Sequence, residues 1–109
     1  MKNVLFVCSR NKLRSPTAED VFAAWPEIEV ASAGLSNDAT VPITIELVRW
    51  AHIIFVMEKA HRQKLSARFR AHLHGKRVIC LDIADDYAFM DPELVRVLKT
   101  RVPKFLTAA

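Results

Sequence analysis

The segment from Cys8 to Ser15 holds residue types that together can transfer a phosphoryl group. It reads Cys8-Ser9-Arg10-Asn11-Lys12-Leu13-Arg14-Ser15 and follows a short apolar run. A thiolate is a strong nucleophile, and an arginine presents a planar fork of donors that matches phosphoryl oxygens. Backbone N–H groups in a loop that opens a helix form a cradle for a tetrahedral anion. This segment, called the phosphate loop below, therefore predicts a phosphate site.

Each side chain of the phosphate loop has an expected role. Cys8 is the expected nucleophile, because the loop amides, the helix end and Arg14 all favour the thiolate. Ser15 either caps the next helix or hydrogen-bonds the Cys8 sulfur and eases its departure, and the two roles are compatible. Asn11 tolerates a left-handed backbone and can hold the loop with its amide. The expected phosphate-binding residues are Ser9, Arg10, Asn11, Lys12, Leu13 and Arg14.

A buried structural cysteine is the ordinary reading of a lone cysteine after an apolar strand. Here the arginine lies six residues after Cys8, and Ser15-Pro16 can open a helix. That conjunction favours the functional reading, because the motif meets the structural context that it requires.

Apolar runs alternate along the chain with segments of helical spacing. We predict strands at 4–7, 27–33, 53–57 and 78–81, and helices at 16–25, 43–51, 59–72 and 91–109. This order predicts an α/β three-layer sandwich with a four-stranded parallel sheet. Ligands of such folds bind beyond the carboxyl ends of the strands. The phosphate loop and the loops after Met57 and Leu81 lie there.

Length and composition limit the class of protein. The 109 residues predict a single domain over 1–109. No apolar run is long enough to span a bilayer, and no signal peptide is evident, so no membrane association is expected. Two cysteines are too few for a disulfide scaffold, which predicts a reducing, cytoplasmic location. No metal site and no cofactor are expected.

The chain has a net charge of +4, and much of its positive charge lies in the basic segment Lys59–Arg77. We expect this segment, with His61 and Arg62, to form a solvated helical face. Attraction for a phosphorylated partner is the alternative, and nucleic acid is not expected because no binding motif is present.

Three stretches resemble the low-molecular-weight protein tyrosine phosphatase family. The phosphate-loop match is the specific one, running from Val4 to Cys8 with Asn11 and Arg14 to Glu19; Ser32-Ala33-Gly34 and Trp50–Glu58 add to it. The resemblance implies a flavodoxin-like fold and hydrolysis of phosphate monoesters through a cysteinyl-phosphate. It implies a phosphorylated protein, with phosphotyrosine, or a small phosphomonoester as the substrate, and phosphate or other oxyanions as ligands.

The resemblance also implies a general acid, an aspartate in an Asp-Pro-Tyr loop after the fourth strand. We favour Asp85, in the loop just after that strand, with Asp86 and Asp91 as alternates. Asp91-Pro92-Glu93 is a typical helix start, so Asp91 is expected to serve as a cap. Tyr87 either walls the pocket and stacks on an aromatic substrate or is a half-buried loop tyrosine.

The chain departs from the family pattern at several points. Arg10 stands where a glycine is usual, Leu13 stands where a second cysteine is frequent, and the segment between Gly34 and Trp50 is short. A more open pocket is expected, and Cys80 is expected in the core. The alternatives are a non-catalytic phosphate-binding module, arsenate reduction, which needs a cysteine relay, and a phosphocarrier.

Overall fold

The computed structural model describes residues 1–106 of the chain. Four strands, β1 (Lys2–Cys8), β2 (Ile28–Gly34), β3 (Ile53–Val56) and β4 (Arg77–Cys80), form one sheet. The strands pair in parallel in the order β2-β1-β3-β4. The predicted four-stranded parallel sheet is therefore confirmed. Because β1 lies between β2 and β3, Cys8 emerges near the middle of the carboxyl edge.

Five α-helices cover the sheet among the described residues. They are α1 (Arg14–Phe22), α2 (Ile45–Trp50), α3 (Lys59–Phe69), α4 (Pro92–Arg101) and α5 (Pro103–Leu106). A 3-10 turn, Arg70–His72, extends α3. Within residues 1–106, none of these helices is both long and apolar enough to cross a bilayer.

Helices α1 and α4 differ most from the sequence-based prediction. The predicted helix 16–25 begins two residues earlier and ends at Phe22. The predicted helix 91–109 ends at Arg101, and Pro103 opens the short α5, because proline cannot donate the hydrogen bond that would continue α4. The end of that prediction, 107–109, lies outside the described residues.

The side chains of β1 alternate between the two faces of the sheet. Phe6 and Cys8 face a core that includes α1 and α4, where Phe6 stacks between Phe22 and Phe55. Leu5 and Val7 face a second core with α2 and α3. Residues Val4 to Val7 are fully buried, so β1 is fixed from both sides. This packing gives the phosphate loop a rigid origin.

Candidate active site

The carbonyl groups of the phosphate loop bond to the segment that follows β2. Leu35 N–H donates to the carbonyl of Cys8 (3.0 Å), and Ser36 N–H donates to that of Ser9 (2.8 Å). Thr40 N–H donates to the carbonyl of Arg10 (3.1 Å). With three successive carbonyls held on this side, the loop can turn its N–H groups to the other side, as an anion-binding nest requires.

Gly34, the last residue of β2, allows this close approach. A Cβ atom at Gly34 would lie 2.6 Å from the carbonyl oxygen of Ser9 and 2.6 Å from the Cβ of Ala39. These distances are too short for any side chain, so the requirement for glycine here is steric. The Ser32-Ala33-Gly34 stretch of the sequence thus packs directly against the phosphate loop.

Asn11 holds the phosphate loop in shape. Its φ of 56° lies in the left-handed region that asparagine tolerates. Its Nδ2 donates to Oγ of Ser15 and to Oγ of Ser32, each at 2.9 Å, and its Oδ1 accepts from the Val41 N–H at 3.1 Å. Its own N–H donates to the Cys8 sulfur at 3.2 Å. The amide therefore cross-links the loop, β2 and the loop before α2, as the residue type suggested.

Ser15 contacts the Cys8 sulfur and does not cap a helix. Its Oγ lies 3.0 Å from Sγ of Cys8. The N-cap position of α1 belongs to Leu13, which gives no side-chain cap bond. The capping half of the sequence-based expectation is therefore wrong, because α1 starts at Arg14 and places Ser15 inside its first turn. The other half, a hydroxyl beside the sulfur, is present.

The Arg14 side chain is only 3% exposed and is held by several groups. Its Nη1 lies 2.7 Å from Oε2 of Glu58 and donates at 2.7 Å to the carbonyl of Ile83. Its Nε lies 3.6 Å from Oδ1 of Asp85. The hydrogen bond from Arg14, and then its charge, hold the pKa of Glu58 below the usual range. With Nη1 occupied, Nε and Nη2 remain to meet an anion.

A cavity of about 550 Å³ lies over the phosphate loop. It is lined by Cys8, Ser9, Arg10, Lys12, Leu13, Arg14 and Asp85. A larger cavity, about 680 Å³, lies beside Trp25 and Leu106, but the residues described around it include no thiol, hydroxyl or arginine. The chemistry of the side chains, and not the size of the cavity, identifies the site.

The three candidate aspartates occupy different places. Both Asp85 and Asp86 are exposed, but of the two only Asp85 is among the described residues that line the cavity. The Asp91 side chain accepts a hydrogen bond from Glu93 N–H at 2.9 Å and caps α4, with Pro92 as the first helical residue. Asp91 therefore has the helix-capping geometry that its sequence context predicts.

Arg10 and Lys12 place positive charge at the mouth of the cavity. Arg10 is exposed and is not among the described non-glycine residues with positive φ, so its bulk fits where the resembled family carries glycine. The hydrogen bond from Ser36 lowers the pKa of Asp38, and the charges of Arg10 and Lys12 add to this effect. Arg10 and Lys12, called the cationic rim below, therefore lie near Asp38.

Tyr87 and Cys80 pack against the cores. Tyr87 is half-buried against the core that contains Phe6, and it is not one of the described residues that line the cavity. Cys80 packs against the opposite core, while Cys8 belongs to the first, so the sheet separates the two thiols. Both are free cysteines. This arrangement offers no route for a disulfide relay between them.

The basic segment 59–77 is only partly a solvated face. Arg62 donates to the carbonyl of Val78, and Lys76 donates to those of Arg49 and Ala51. His61 is 3% exposed, so its expected surface position is wrong. It is the third residue of α3 and closes a capping box with Glu58, a role that buries a polar ring without losing its hydrogen bonds.

Two residues of the site, Glu58 and His61, received no functional role from the sequence. Glu58 follows β3 at the carboxyl edge of the sheet, where ligands of parallel sheets bind. The capping box pairs Glu58 with His61 and not the usual Ser or Thr with Glu or Gln, so the residue types gave no signal for it. The ion pair to Arg14 had no signal either, because its partners are 44 positions apart and meet only through the sheet order.

The comparisons with known proteins agree with this geometry. The family profile described as low molecular weight phosphotyrosine protein phosphatase matches residues 3–68. One relative is the probable low molecular weight protein-tyrosine-phosphatase AmsI of Erwinia amylovora. It is 34% identical over 116 aligned positions, which cover 80% of this chain and 81% of AmsI.

Solved structures show the same fold. The crystal structure of AmsI has a TM-score of 0.76 and 26% identity, covering 97% of this chain and 92% of AmsI. YwlE arginine phosphatase from Geobacillus stearothermophilus has a TM-score of 0.78 at 22% identity, and the match covers 98% of this chain and 94% of YwlE. Wzb tyrosine phosphatase from Escherichia coli K30, in complex with phosphate, has a TM-score of 0.78 at 18% identity, and the match covers 96% of this chain and 96% of Wzb. The profile match and the identity to AmsI establish that the chain belongs to the low molecular weight phosphotyrosine protein phosphatase family of cysteine-based enzymes.

Proposed function

We propose that the protein hydrolyses phosphotyrosine in a protein substrate, with Cys8 as nucleophile and Asp85 as general acid. The observation that carries the proposal is the setting of the Cys8 sulfur. It lies 3.2 Å from the Asn11 amide nitrogen and 3.0 Å from the Ser15 hydroxyl oxygen. Both groups can donate to a thiolate, and Arg14 lines the same cavity.

The first chemical step forms an S–P bond and breaks the P–O bond of the ester. The Cys8 thiolate supplies the electron pair, while Arg14 and the loop amides neutralise the charge on the phosphoryl oxygens. Asp85 gives its proton to the leaving phenolate oxygen. Asp85 is assigned this role because it lines the cavity and lies beside Arg14, whereas Asp91 caps a helix.

The second step returns the enzyme to its starting state. Asp85, now a carboxylate, takes a proton from water, whose oxygen attacks phosphorus and displaces the sulfur. The products are inorganic phosphate and the Cys8 thiolate. Ser15 donates a hydrogen bond to the departing sulfur, which stabilises the charge that develops there.

The cationic rim supports an aryl phosphate over phosphoarginine as the substrate. A phosphoarginine side chain carries a guanidinium next to its phosphoryl group, and Arg10 and Lys12 line the same cavity. Repulsion between like charges in one cavity disfavours binding. The arginine phosphatase activity named for YwlE is therefore a separate outcome in the test of substrate class.

A turnover panel tests this function. Phosphotyrosine, phosphoserine and phosphoarginine peptides and a small aryl phosphate are compared at equal concentration, with Cys8→Ser as the control. Release of phosphate should be fastest from the aryl substrates and absent in Cys8→Ser. Equal release by the wild type and Cys8→Ser would remove the enzyme assignment, and preferred turnover of phosphoarginine would remove the substrate assignment.

A phosphate-binding module without turnover is the second candidate, because the phosphate loop alone can hold the anion. Vanadate, which can mimic a five-coordinate phosphoryl transition state, separates the two. Tight vanadate binding with no turnover of any panel member would favour the module. The separation of Cys8 from Cys80 by the sheet argues against arsenate reduction through these two thiols.

A cytoplasmic location fits the same chemistry. The nucleophile must stay reduced, and both cysteines are free and held apart. Fractionation of cells that express a tagged chain should place it with cytoplasmic markers. Recovery from an oxidising compartment would contradict the proposal.

A further inference from the structure

His61 joins the phosphate loop to the group that anchors Arg14. Its Nε2 lies 3.0 Å from Oγ of Ser9, and its Nδ1 accepts from the backbone N–H of Glu58 at 3.2 Å. Glu58 in turn contacts Arg14. One buried ring therefore touches the residue after the nucleophile and the residue that holds the arginine.

The hydrogen bonds define which form of the ring is compatible with this arrangement. Because Nδ1 accepts from the Glu58 N–H, it carries no proton, and the neutral ring then has its proton on Nε2. That N–H donates to the Ser9 hydroxyl. The Ser9 hydroxyl proton is thereby turned away from His61.

We propose that neutral His61 is a positioning residue that fixes Ser9 and Glu58 together, and that its protonation breaks its bond to the Glu58 backbone while the bond to Ser9 remains. The proposal rests on the proposed phosphatase function. A proton on Nδ1 would face the Glu58 N–H, so two donors would oppose each other and the bond would be lost. The new charge would also lie 3.8 Å from Oε2 of Glu58 and compete with Arg14 for that carboxylate.

The charged groups around His61 decide how readily it takes a proton. Burial lowers the pKa of His61 below its ordinary value, and the charge of Arg14 and, more weakly, that of Lys64 act in the same direction. The charges of Glu58 and Asp85 oppose this shift. His61 therefore stays neutral near pH 7, and the loss of its bond to Glu58 is expected at lower pH.

The variant His61→Gln separates positioning from titration. Glutamine at the third helical position can accept from the N-cap N–H, as histidine does here, and its NH₂ group can donate to Ser9. It does not titrate. His61→Ala removes both bonds, and His74→Gln, on an exposed histidine of the same segment, is the matched control.

The experiment measures kcat/KM for a small aryl phosphate from pH 5 to 8. The value of kcat/KM for the wild type is divided by that for His61→Gln at each pH, so that the ionisations of substrate and nucleophile, which both proteins share, cancel. We expect a ratio near one at pH 8 that falls about fivefold by pH 5, the effect of losing roughly one net hydrogen bond. The ratio of wild type to His74→Gln should stay flat.

Two further measurements distinguish positioning from mere folding. His61→Ala should lose about tenfold in kcat/KM and in vanadate affinity at pH 8, the scale of the two neutral hydrogen bonds that it removes, and His61→Gln should restore both. Ser9→Ala, which removes only the bond to Ser9, should lose less than His61→Ala, and the Ser9→Ala/His61→Ala double variant should lose no more than His61→Ala alone.

The outcomes divide cleanly. A flat ratio of wild type to His61→Gln across this pH range, or normal vanadate affinity in a folded His61→Ala protein, would overturn the role of His61 while leaving the phosphatase function intact. If the wild type turns over no substrate, the proposed function fails. In that case vanadate affinity tests the role of His61. If the affinity of the wild type, divided by that of His61→Gln, falls between pH 8 and pH 5, the role is supported. If this ratio stays constant, the role is overturned.

Discussion

Oε2 of Glu58 lies 2.7 Å from Nη1 of Arg14, and the arginine side chain is almost completely buried while the glutamate is 43% exposed. A buried guanidinium without a counter-charge is costly, because the interior replaces little of its lost hydration. Glu58 provides that counter-charge and holds one end of the planar fork. The other end is left for the anion that the cavity receives.

Glu58→Gln should weaken both folding and turnover. We expect the free energy of unfolding in urea to fall by about 1–2 kcal/mol, less than for a fully buried pair because water screens the exposed partner. We expect kcat/KM for an aryl phosphate to fall about tenfold as Arg14 loses its orientation. Glu93→Gln, which removes an exposed pair with Arg96, is the control and should leave stability nearly unchanged. Equal effects of the two variants would contradict the anchoring role.

The aspartate variants should differ in their dependence on the leaving group. Asp85→Asn should reduce kcat about 100-fold or more for a poor leaving group such as phenol, and far less for nitrophenol, which departs without a proton. Asp86→Asn should remain close to wild type with both substrates.

Asp91→Asn should also remain close to wild type, because asparagine caps a helix about as well as aspartate. Asp91→Ala should lose about 1 kcal/mol of stability with little change in leaving-group dependence. If Asp91→Asn alone impairs poor leaving groups, the assignment of Asp85 is wrong.

Gly34→Ala should distort the phosphate loop. The added methyl would lie 2.6 Å from the Ser9 carbonyl oxygen, so the loop backbone must move. Vanadate affinity, read from quenching of Trp fluorescence or from calorimetry, should fall by about tenfold or more, and the melting temperature should also fall.

Gly75→Ala is the matched control for this experiment. Gly75 has φ of 77°, and a Cβ there would meet nothing within 4 Å. It should cost about 1 kcal/mol of stability through backbone strain and leave vanadate affinity unchanged. Unaltered vanadate affinity in a folded Gly34→Ala protein would show that the close approach is not required.

The stability of the protein should fall on the acid side through His61. Its pKa is lowered from 6.5 in the folded state, so the unfolded chain binds a proton at a higher pH than the folded chain does. Stability from this group is complete above pH 6.5 and is lost as the pH falls from there through the lower folded pKa. The free energy of unfolding of the wild type minus that of His61→Gln should therefore decrease between pH 7.5 and 5. A constant difference, or the same decrease with His74→Gln, would contradict the burial of a neutral ring.

Local patterns predicted the parts of the fold that depend on neighbours in the sequence. The apolar run before Cys8, the Asp91-Pro92 start of α4 and the special backbone of Asn11 are all set by adjacent residue types. The start of α1 was predicted two residues late, because Ser15 looks like a cap although its hydroxyl is taken by the Cys8 sulfur. A tertiary contact there replaced a local one.

The parts that sequence reasoning missed depend on distant residues. His61 stands among arginines and lysines, so the pattern favours the surface, yet a capping box and the Ser9 hydroxyl satisfy its ring in the interior. The contacts of Arg14 with Glu58 and with the carbonyl of Ile83 follow from the order of the strands. Spacing along the chain carries no signal for them.

The hydrogen bond from Arg14 to the carbonyl of Ile83 joins residues 69 positions apart. Chains emerge from the ribosome N-terminus first, so the strand that carries the cysteine appears early while the acceptor for its arginine appears late. A partly synthesised chain therefore exposes a thiol that has no finished oxyanion site beside it. We therefore expect the oxyanion site to be completed only after Ile83 has been translated.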